Sequence, residues 1–182
     1  MSQEKSAQQK LKLWHRLAEG VSLDDLEYVK DTAYYRDLIE LLPLINKGAA
    51  GFATEVDEQV ASQLSGNEYV HTNLRADNIL ITPEGQAVLV DWPWANIGNA
   101  DLDLGLIAVD ALIQDGQLTE QQVLELMPTH RRPRSEFLHG CTVALAGYYL
   151  YTSMQKPSTS TNTSLIEMRT HRALALLHRL FG

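Results

Sequence analysis

A chain of 182 residues, 45% of them hydrophobic, can form a core of its own but is too short for two ordinary domains, so a single domain over 1–182 is expected. Its one cysteine, Cys141, excludes an internal disulfide framework and reads as a small buried apolar residue in a helix; no Cys/His cluster has zinc-ligand spacing. The polar start MSQEKSAQQK and the lack of any apolar run long enough for a bilayer predict a soluble, cytoplasmic protein with no membrane partner. The net charge of −8 is unevenly spread: Gly48–His130 holds thirteen acidic residues and one basic residue, Arg75, whereas Arg131–Gly182 holds two acids and seven bases. An acidic middle argues against a nucleic-acid surface and suits a divalent metal or a cationic small molecule, or else a solvated face that keeps the protein dispersed.

In chain order, Leu11, Trp14, Leu17 and Ala18 fall on one face of a helix over Lys10–Glu19, and Gly20 supplies its stop. Ser22 and Asp25 have capping spacing for a second helix, whose apolar face Leu26, Val29, Ala33 and Leu41 runs until Pro43 ends or kinks it. Val56, Val60 and Leu64 predict a third helix over Thr54–Leu64, closed by Gly66, so residues 1–66 read as helical. The period then changes. Ile79–Ile81 and Ala87–Val90 are short and apolar, and Thr82-Pro83-Glu84-Gly85-Gln86 between them has turn chemistry, which predicts a β-hairpin within 69–91. Residues 101–182 read as helical again. Leu104, Ile107, Ala108, Ala111 and Leu112 mark one helix; Thr119 with Gln122 opens a short one through a capping box; Phe137, Cys141, Leu145 and Tyr148 line the next. Ser164 with Glu167 caps the last, whose face holds Ile166, Thr170, Ala173, Leu174, Leu177 and Phe181. Lys156–Ser164 is a loop by composition, and His130-Arg131-Arg132-Pro133-Arg134 reads as an exposed basic loop.

The hairpin register carries a chemical consequence. If Ile81 pairs with Ala87, then Leu80 faces Val88, Ile79 faces Leu89, and Asn78 comes level with Val90-Asp91. A neutral amide oxygen and a carboxylate side by side at the mouth of a hairpin are suitable ligands for magnesium, which completes its shell with water and phosphate oxygens. Taken singly, Asp91 reads as a strand end and Asn78 as an Asx-turn residue; with His71 at this spacing the metal reading gains. Trp92 and Trp94 read as core or groove-wall residues. His15, His130, His139, His171 and His178 have no ligand spacing.

The segment HTNLRADN over 71–78, followed by the hairpin and Asp91-Trp92, resembles the catalytic loop and metal-binding aspartate of the aminoglycoside phosphotransferase and choline kinase-like family, relatives of the protein kinases. The stretch Gly98–Leu104 is similar to the family's segment after the metal aspartate. The resemblance implies a mainly α (α+β) fold: a kinase-like C-terminal lobe, a helical bundle with a catalytic β-hairpin. It further implies Mg2+ on Asn78 and Asp91, loop support from His71 and Asp103, and ATP as phosphoryl donor to a hydroxyl of a small molecule of aminoglycoside or amino-alcohol type.

Two departures qualify these expectations. Position 73, the family's base position, holds Asn73, which takes up no proton at neutral pH; a positioned base contributes about 10²–10⁴-fold. No glycine-rich hairpin and no strand lysine are found; Lys30 sits in a helical pattern, so the N-terminal nucleotide lobe is missing and ATP should bind weakly or not at all. The sequence therefore leaves two functions open. One is an impaired phosphotransferase. The other is an inactive, truncated pseudokinase that acts as a binding module, with a homodimer or another partner covering the surface a small lobe would occupy; a long coding region before Met1 would favour the first.

Overall fold

The computed structural model describes residues 9–157 and 163–182, which are mainly helical and include two small antiparallel sheets of two strands each. The chain divides into two compact units, one of residues 59–141 and one of residues 9–58 with 142–182. No helix among the described residues is long and apolar enough to cross a membrane.

In the unit of residues 9–58 and 142–182, packing centres on Trp14, which lies in helix α1 (Trp14–Leu17) and is fully buried. Its Nε1 donates to the carbonyl of Val143 at 2.6 Å, and its ring tilts against Phe52 at 4.8 Å. A Cβ at Gly147 would come within 2.6 Å of the indole, so that position must stay small for the ring to seat. Gly20 ends this segment with φ +104°, a conformation that L side chains rarely adopt.

The Ser22–Asp25 arrangement exists, with Asp25 Oδ2 accepting from both Ser22 N and Ser22 Oγ, but it opens only the 3₁₀ turn Asp24–Leu26. These bonds hold the Asp25 carboxyl below its ordinary value. The expected second and third helices are replaced by one long helix, α2 (Tyr35–Gln59), with Pro43 inside it. An interior proline costs about 3 kcal/mol, yet the buried stripe Leu38, Ile45, Ala49, Ala53 and Val56 continues on both sides of it, and packing overrides the break. Just beyond Pro43, Asn46 Oδ1 accepts from Val21 N and Asn46 Nδ2 donates to Val21 O, both at 2.8 Å, fastening the preceding loop to the helix.

The unit of residues 59–141 contains all the strands among the described residues. β1 (Glu68–Val70) pairs with β4 (Asn96–Gly98) through Glu68↔Gly98, Tyr69↔Ile97 and Val70↔Asn96. Inside that clamp, β2 (Ile79–Ile81) and β3 (Ala87–Leu89) form the expected hairpin in the expected register, Ile79↔Leu89, Leu80↔Val88 and Ile81↔Ala87. The outer pair was not foreseen. It depends on close approach at Gly66, where a Cβ would collide with the carbonyl oxygen of Gly98.

Helix α3 (Asp101–Gln114) buries Leu102, Leu106, Val109 and Ile113 with Ala108 and Leu112, a face rotated from the expected one; Leu104, Ile107 and Ala111 are only half-buried. Helix α4 (Glu120–Leu126) starts with the expected capping box, Thr119 and Gln122 bonding reciprocally. Helix α5 (Ser135–Ser153) is buried nearly all round: of the expected face Phe137 and Cys141 are buried, whereas Leu145 and Tyr148 are among its less buried positions. A helix that is apolar on every side belongs in the interior. Within the unit of residues 59–141, α3 and α5 meet closely at Gly105, whose absent Cβ would lie 2.6 Å from Cys141 Sγ. Cys141 is buried, as its composition reading required.

Helix α6 (Thr163–Phe181) already includes Ser164, so Ser164 and Glu167 are helical residues and not its cap. Its buried face holds Ile166, Thr170, Ala173, Leu174 and Leu177 as expected, and also Leu176 and Arg172, whose Nη1 meets Tyr149 Oη at 3.2 Å. Most of the expected loop over Lys156–Ser164 lies outside the described residues. The basic loop is exposed and tied down: Arg131 pairs with Glu68 at 3.1 Å, Arg134 donates to Gln63 Oε1 at 2.8 Å, and Arg132 reaches the carbonyls of Glu125 and Met127.

Candidate functional site

The strand pair β1–β4 brings Val70 and Asn96 together, so everything from His71 to Ala95 is a closed excursion containing the loop 71–78 and the hairpin. The start of that loop is fixed by Asp103 in the first turn of α3. Its two carboxylate oxygens accept the backbone N–H of His71 at 2.6 Å and of Thr72 at 2.8 Å. Burial pushes the Asp103 carboxyl above its ordinary value, while the two N–H donors and the neighbouring His71 oppose that shift.

His71 is fully buried; its Nε2 bonds the carbonyl of Val90 at 2.8 Å and its ring tilts against Trp92 at 4.7 Å. If Nε2 carries the proton, it donates to that carbonyl, and Nδ1 is left buried without a partner. The imidazole thus links the loop to the far end of the hairpin. Trp92 is 44% exposed and Trp94 48% exposed, so neither is a core residue; Trp92 Nε1 donates to Leu89 O at 2.8 Å and its ring covers the histidine.

Thr72 has φ +59°, an outlier for a β-branched residue, with a cost of order 1–3 kcal/mol. Three bonds hold it: its N–H goes to Asp103 and its Oγ1 donates to Trp94 O at 2.7 Å, while the adjacent His71 N–H engages the other Asp103 oxygen. The strain directs Asn73 into the crown of the loop. Asn73 is half-buried; its carbonyl accepts from Asn78 Nδ2 at 2.9 Å, and its side chain makes no hydrogen bond among the described residues.

The loop returns through the 3₁₀ turn Ala76–Asn78, with Asn78 N donating to Arg75 O and Val90 N donating to Asn78 O, both at 3.0 Å. Asn78 therefore sits opposite Val90 at the hairpin mouth, the placement its register required. With Nδ2 committed to Asn73, Asn78 Oδ1 keeps both lone pairs free among the described residues. Asp91 follows Val90 with φ +64°, which takes the chain out of the ladder; its side chain is exposed and unpaired among the described residues. Asp77, by contrast, is engaged with Arg75 at 3.0 Å.

These residues suit a hard, hydrated cation. Among the described residues no group of three or more His, Cys, Asp or Glu side chains is placed to hold a metal ion. The Asp91 carboxylate and Asn78 Oδ1 are oxygen donors of the type that could hold a hydrated magnesium ion.

Sequence reasoning missed a second carboxylate on α3. Asp110 is 2% exposed and its Oδ2 accepts the Ala76 N–H at 2.8 Å. Its signal was present: a lone charge within the apolar run GLIAVDALI, seven residues after Asp103 and so on the same helical face. The left-handed Thr72 had no such signal.

No protein-family model, no curated protein and no solved structure matches this chain.

Proposed function

We propose that the chain carries the metal-binding part of a phosphotransferase-type site, in a kinase-like C-terminal lobe, with Asn78 and Asp91 as ligands of Mg2+. The observation that carries the reading is the hairpin mouth. Asn78 is seated opposite Val90 with a free Oδ1, Asp91 follows in a left-handed conformation with a free carboxylate, and Asp103 braces the start of the same loop. A bound magnesium would neutralise phosphate oxygens. His71 and Asp103 support the loop, and Asn73 occupies its crown, where it can bond a substrate hydroxyl without taking its proton. The substrate class is a small hydroxyl compound of amino-alcohol or aminoglycoside type, whose cationic groups suit the acidic surroundings; ATP is the donor.

The test is titration with Mn2+ as a magnetic substitute for Mg2+, followed by ATP and a panel of such substrates. One site of roughly 1:1 stoichiometry, lost in Asp91→Asn and weakened in Asn78→Ala, is expected. Metal binding unaffected by either change would overturn the reading.

A second reading, a catalytically inactive binding module, has its own observation. Tyr69, Leu80, Ile81, Val88, Leu89, Trp92, Trp94 and Ile97 are all exposed, Tyr69 by 82% and Ile81 by 67%. So many large apolar side chains within thirty residues mark a contact surface. Concentration-dependent light scattering that is abolished by Ile81→Lys, with no metal bound, would favour this reading over the first.

A further inference from the structure

We infer that Asp110 is a positioning residue for the metal site: it acts as a long-range cap on the turn that carries Asn78. This rests on the magnesium reading of Asn78, but the bond that carries it is independent of any metal. The turn Ala76–Asn78 begins after Arg75, whose extended backbone (φ −145°, ψ 162°) precedes the turn and whose side chain makes no capping bond. At such a start the first N–H has no partner within the turn, and a short polar side chain at the preceding position usually supplies one. Arginine has no acceptor to offer. The acceptor comes from 34 residues away, as Asp110 Oδ2 at 2.8 Å from Ala76 N.

The placement is costly enough to require a reason. Asp110 lies between Val109 and Ala111 on a helix whose neighbouring buried positions are Leu106, Ala108, Leu112 and Ile113, and it is itself 2% exposed. A carboxylate in such surroundings is tolerated only when it is well bonded. Two helical turns earlier on the same face, Asp103 takes the N–H groups of His71 and Thr72. Helix α3 thus grips the loop at both ends, Asp103 at 71–72 and Asp110 at 76, with Asn73 between them. Two residues past the second grip lies Asn78, whose own N–H, carbonyl and Nδ2 are all engaged, so that only Oδ1 is left for a ligand. Releasing Ala76 would loosen the turn that aims this oxygen.

The experiment compares Asp110→Ala, Asp110→Asn, Ala76→Pro and the double variant Ala76→Pro/Asp110→Ala in the full chain. Proline suits the first position of a turn, and the extended Arg75 before it is compatible with a following proline, so Ala76→Pro removes the donor without a clash at Arg75. Two readouts are taken: Mn2+ affinity, and amide exchange at Asn78 and Val90. Asp110→Ala is expected to weaken Mn2+ about tenfold, the usual worth of a group orienting a metal ligand. It should also speed exchange at both amides, with Asp110→Asn intermediate because it keeps an acceptor oxygen. In the Ala76→Pro background, removing Asp110 should change either readout clearly less than it does in the wild-type chain, because the bond to Ala76 is then already gone. If Asp110→Ala does not fold, Asp110→Asn and Ala76→Pro supply the exchange comparison. Equal losses with and without the Ala76 N–H, or unchanged exchange in a folded Asp110 variant, would overturn the inference. Wild-type protein that binds no Mn2+ would sink the magnesium reading and, with it, this role toward the metal, while the exchange data would still report whether Asp110 caps the turn.

Discussion

Asp103 accepts the backbone N–H of two consecutive residues, His71 at 2.6 Å and Thr72 at 2.8 Å, and the second of these is held at φ +59°. Two N–H groups on successive residues converge on one carboxylate only when the chain turns sharply between them, so bond and strain sustain each other. Replacing Asp103 with Ala leaves both donors without their partner, at about 1–3 kcal/mol each, and lets Thr72 relax. Urea unfolding of Asp103→Ala should show a loss of about 2–4 kcal/mol, and Asp103→Asn, which retains one acceptor oxygen, about half that. A loss under about 0.5 kcal/mol, the range of an ordinary surface change, would mean the loop is held by other contacts.

The same carboxylate gives stability an unusual pH dependence. Burial raises the Asp103 value in the folded protein, so the folded state holds the proton more tightly than the unfolded chain. Its contribution to stability therefore rises as pH falls from the raised value toward the unfolded value near about 4. Asp57 runs the other way. Lys12 at 2.8 Å holds its carboxyl low, against some desolvation and with help from His15, so its contribution is present above the unfolded value and lost as pH falls through the folded one. Asp103→Asn should steepen the loss of stability as pH falls toward the unfolded carboxylate value near about 4, and Asp57→Asn should flatten it below about 4. Identical pH profiles for wild type and Asp103→Asn would contradict the raised value.

The contact between α3 and α5 makes a separate prediction. An alanine at Gly105 would gain about 1 kcal/mol of helix propensity, but its Cβ would sit 2.6 Å from Cys141 Sγ and 3.3 Å from the Phe137 ring. Overpacking costs about 1–3 kcal/mol and should outweigh the gain. Cys141→Ala in the Gly105→Ala background should recover most of the loss by removing the sulfur, so the two changes should be strongly non-additive in denaturant unfolding. Burial also pushes the Cys141 thiol up, so in the native protein it should react with a thiol reagent only as fast as the protein opens.

How much of the fold and site was legible beforehand depends on the range of the interactions involved. The hairpin was read residue for residue, because alternation and a Pro/Gly turn are local signals and the register follows from the turn. Helix limits failed where tertiary burial overruled a local signal. Pro43 and the Ser164–Glu167 spacing both argue for a boundary, yet the chain is helical through each. The pairing of β1 with β4 joins segments of three residues across a long excursion, and nothing in either segment names the other. At the hairpin mouth, the register places Asn78 opposite Val90 as expected, and the bonds of Asp103 to the N–H groups of His71 and Thr72 join two of the residues singled out by the motif. Asp110 stands out in the sequence as a lone charge in an apolar run, but its bond to the Ala76 N–H needed the structure, because backbone donors leave no mark in a sequence.

Asn73 is the position at which a single atom type decides what the loop can do. Its side chain is free of hydrogen bonds among the described residues and stands in the crown between the two grips of α3, so an aspartate would fit there without displacing a partner. Asn73→Asp replaces an amide with a carboxylate in a segment where Arg75 is the only basic residue between Gly48 and His130. The added charge should lower the stability of the metal-free protein slightly and tighten Mg2+ binding, since the cation relieves the repulsion. If the loop orients a substrate hydroxyl, the new carboxylate should also raise magnesium-dependent phosphoryl transfer from ATP by about 10²–10⁴-fold, the worth of a positioned base. The check is a paired assay of the Asn and Asp forms, each with and without an added nucleotide-binding lobe, because a base without a clamped phosphate has little to act on. The gain should be confined to the forms that hold nucleotide; equal turnover by Asn and Asp forms that do hold it would show that position 73 is not where the proton goes.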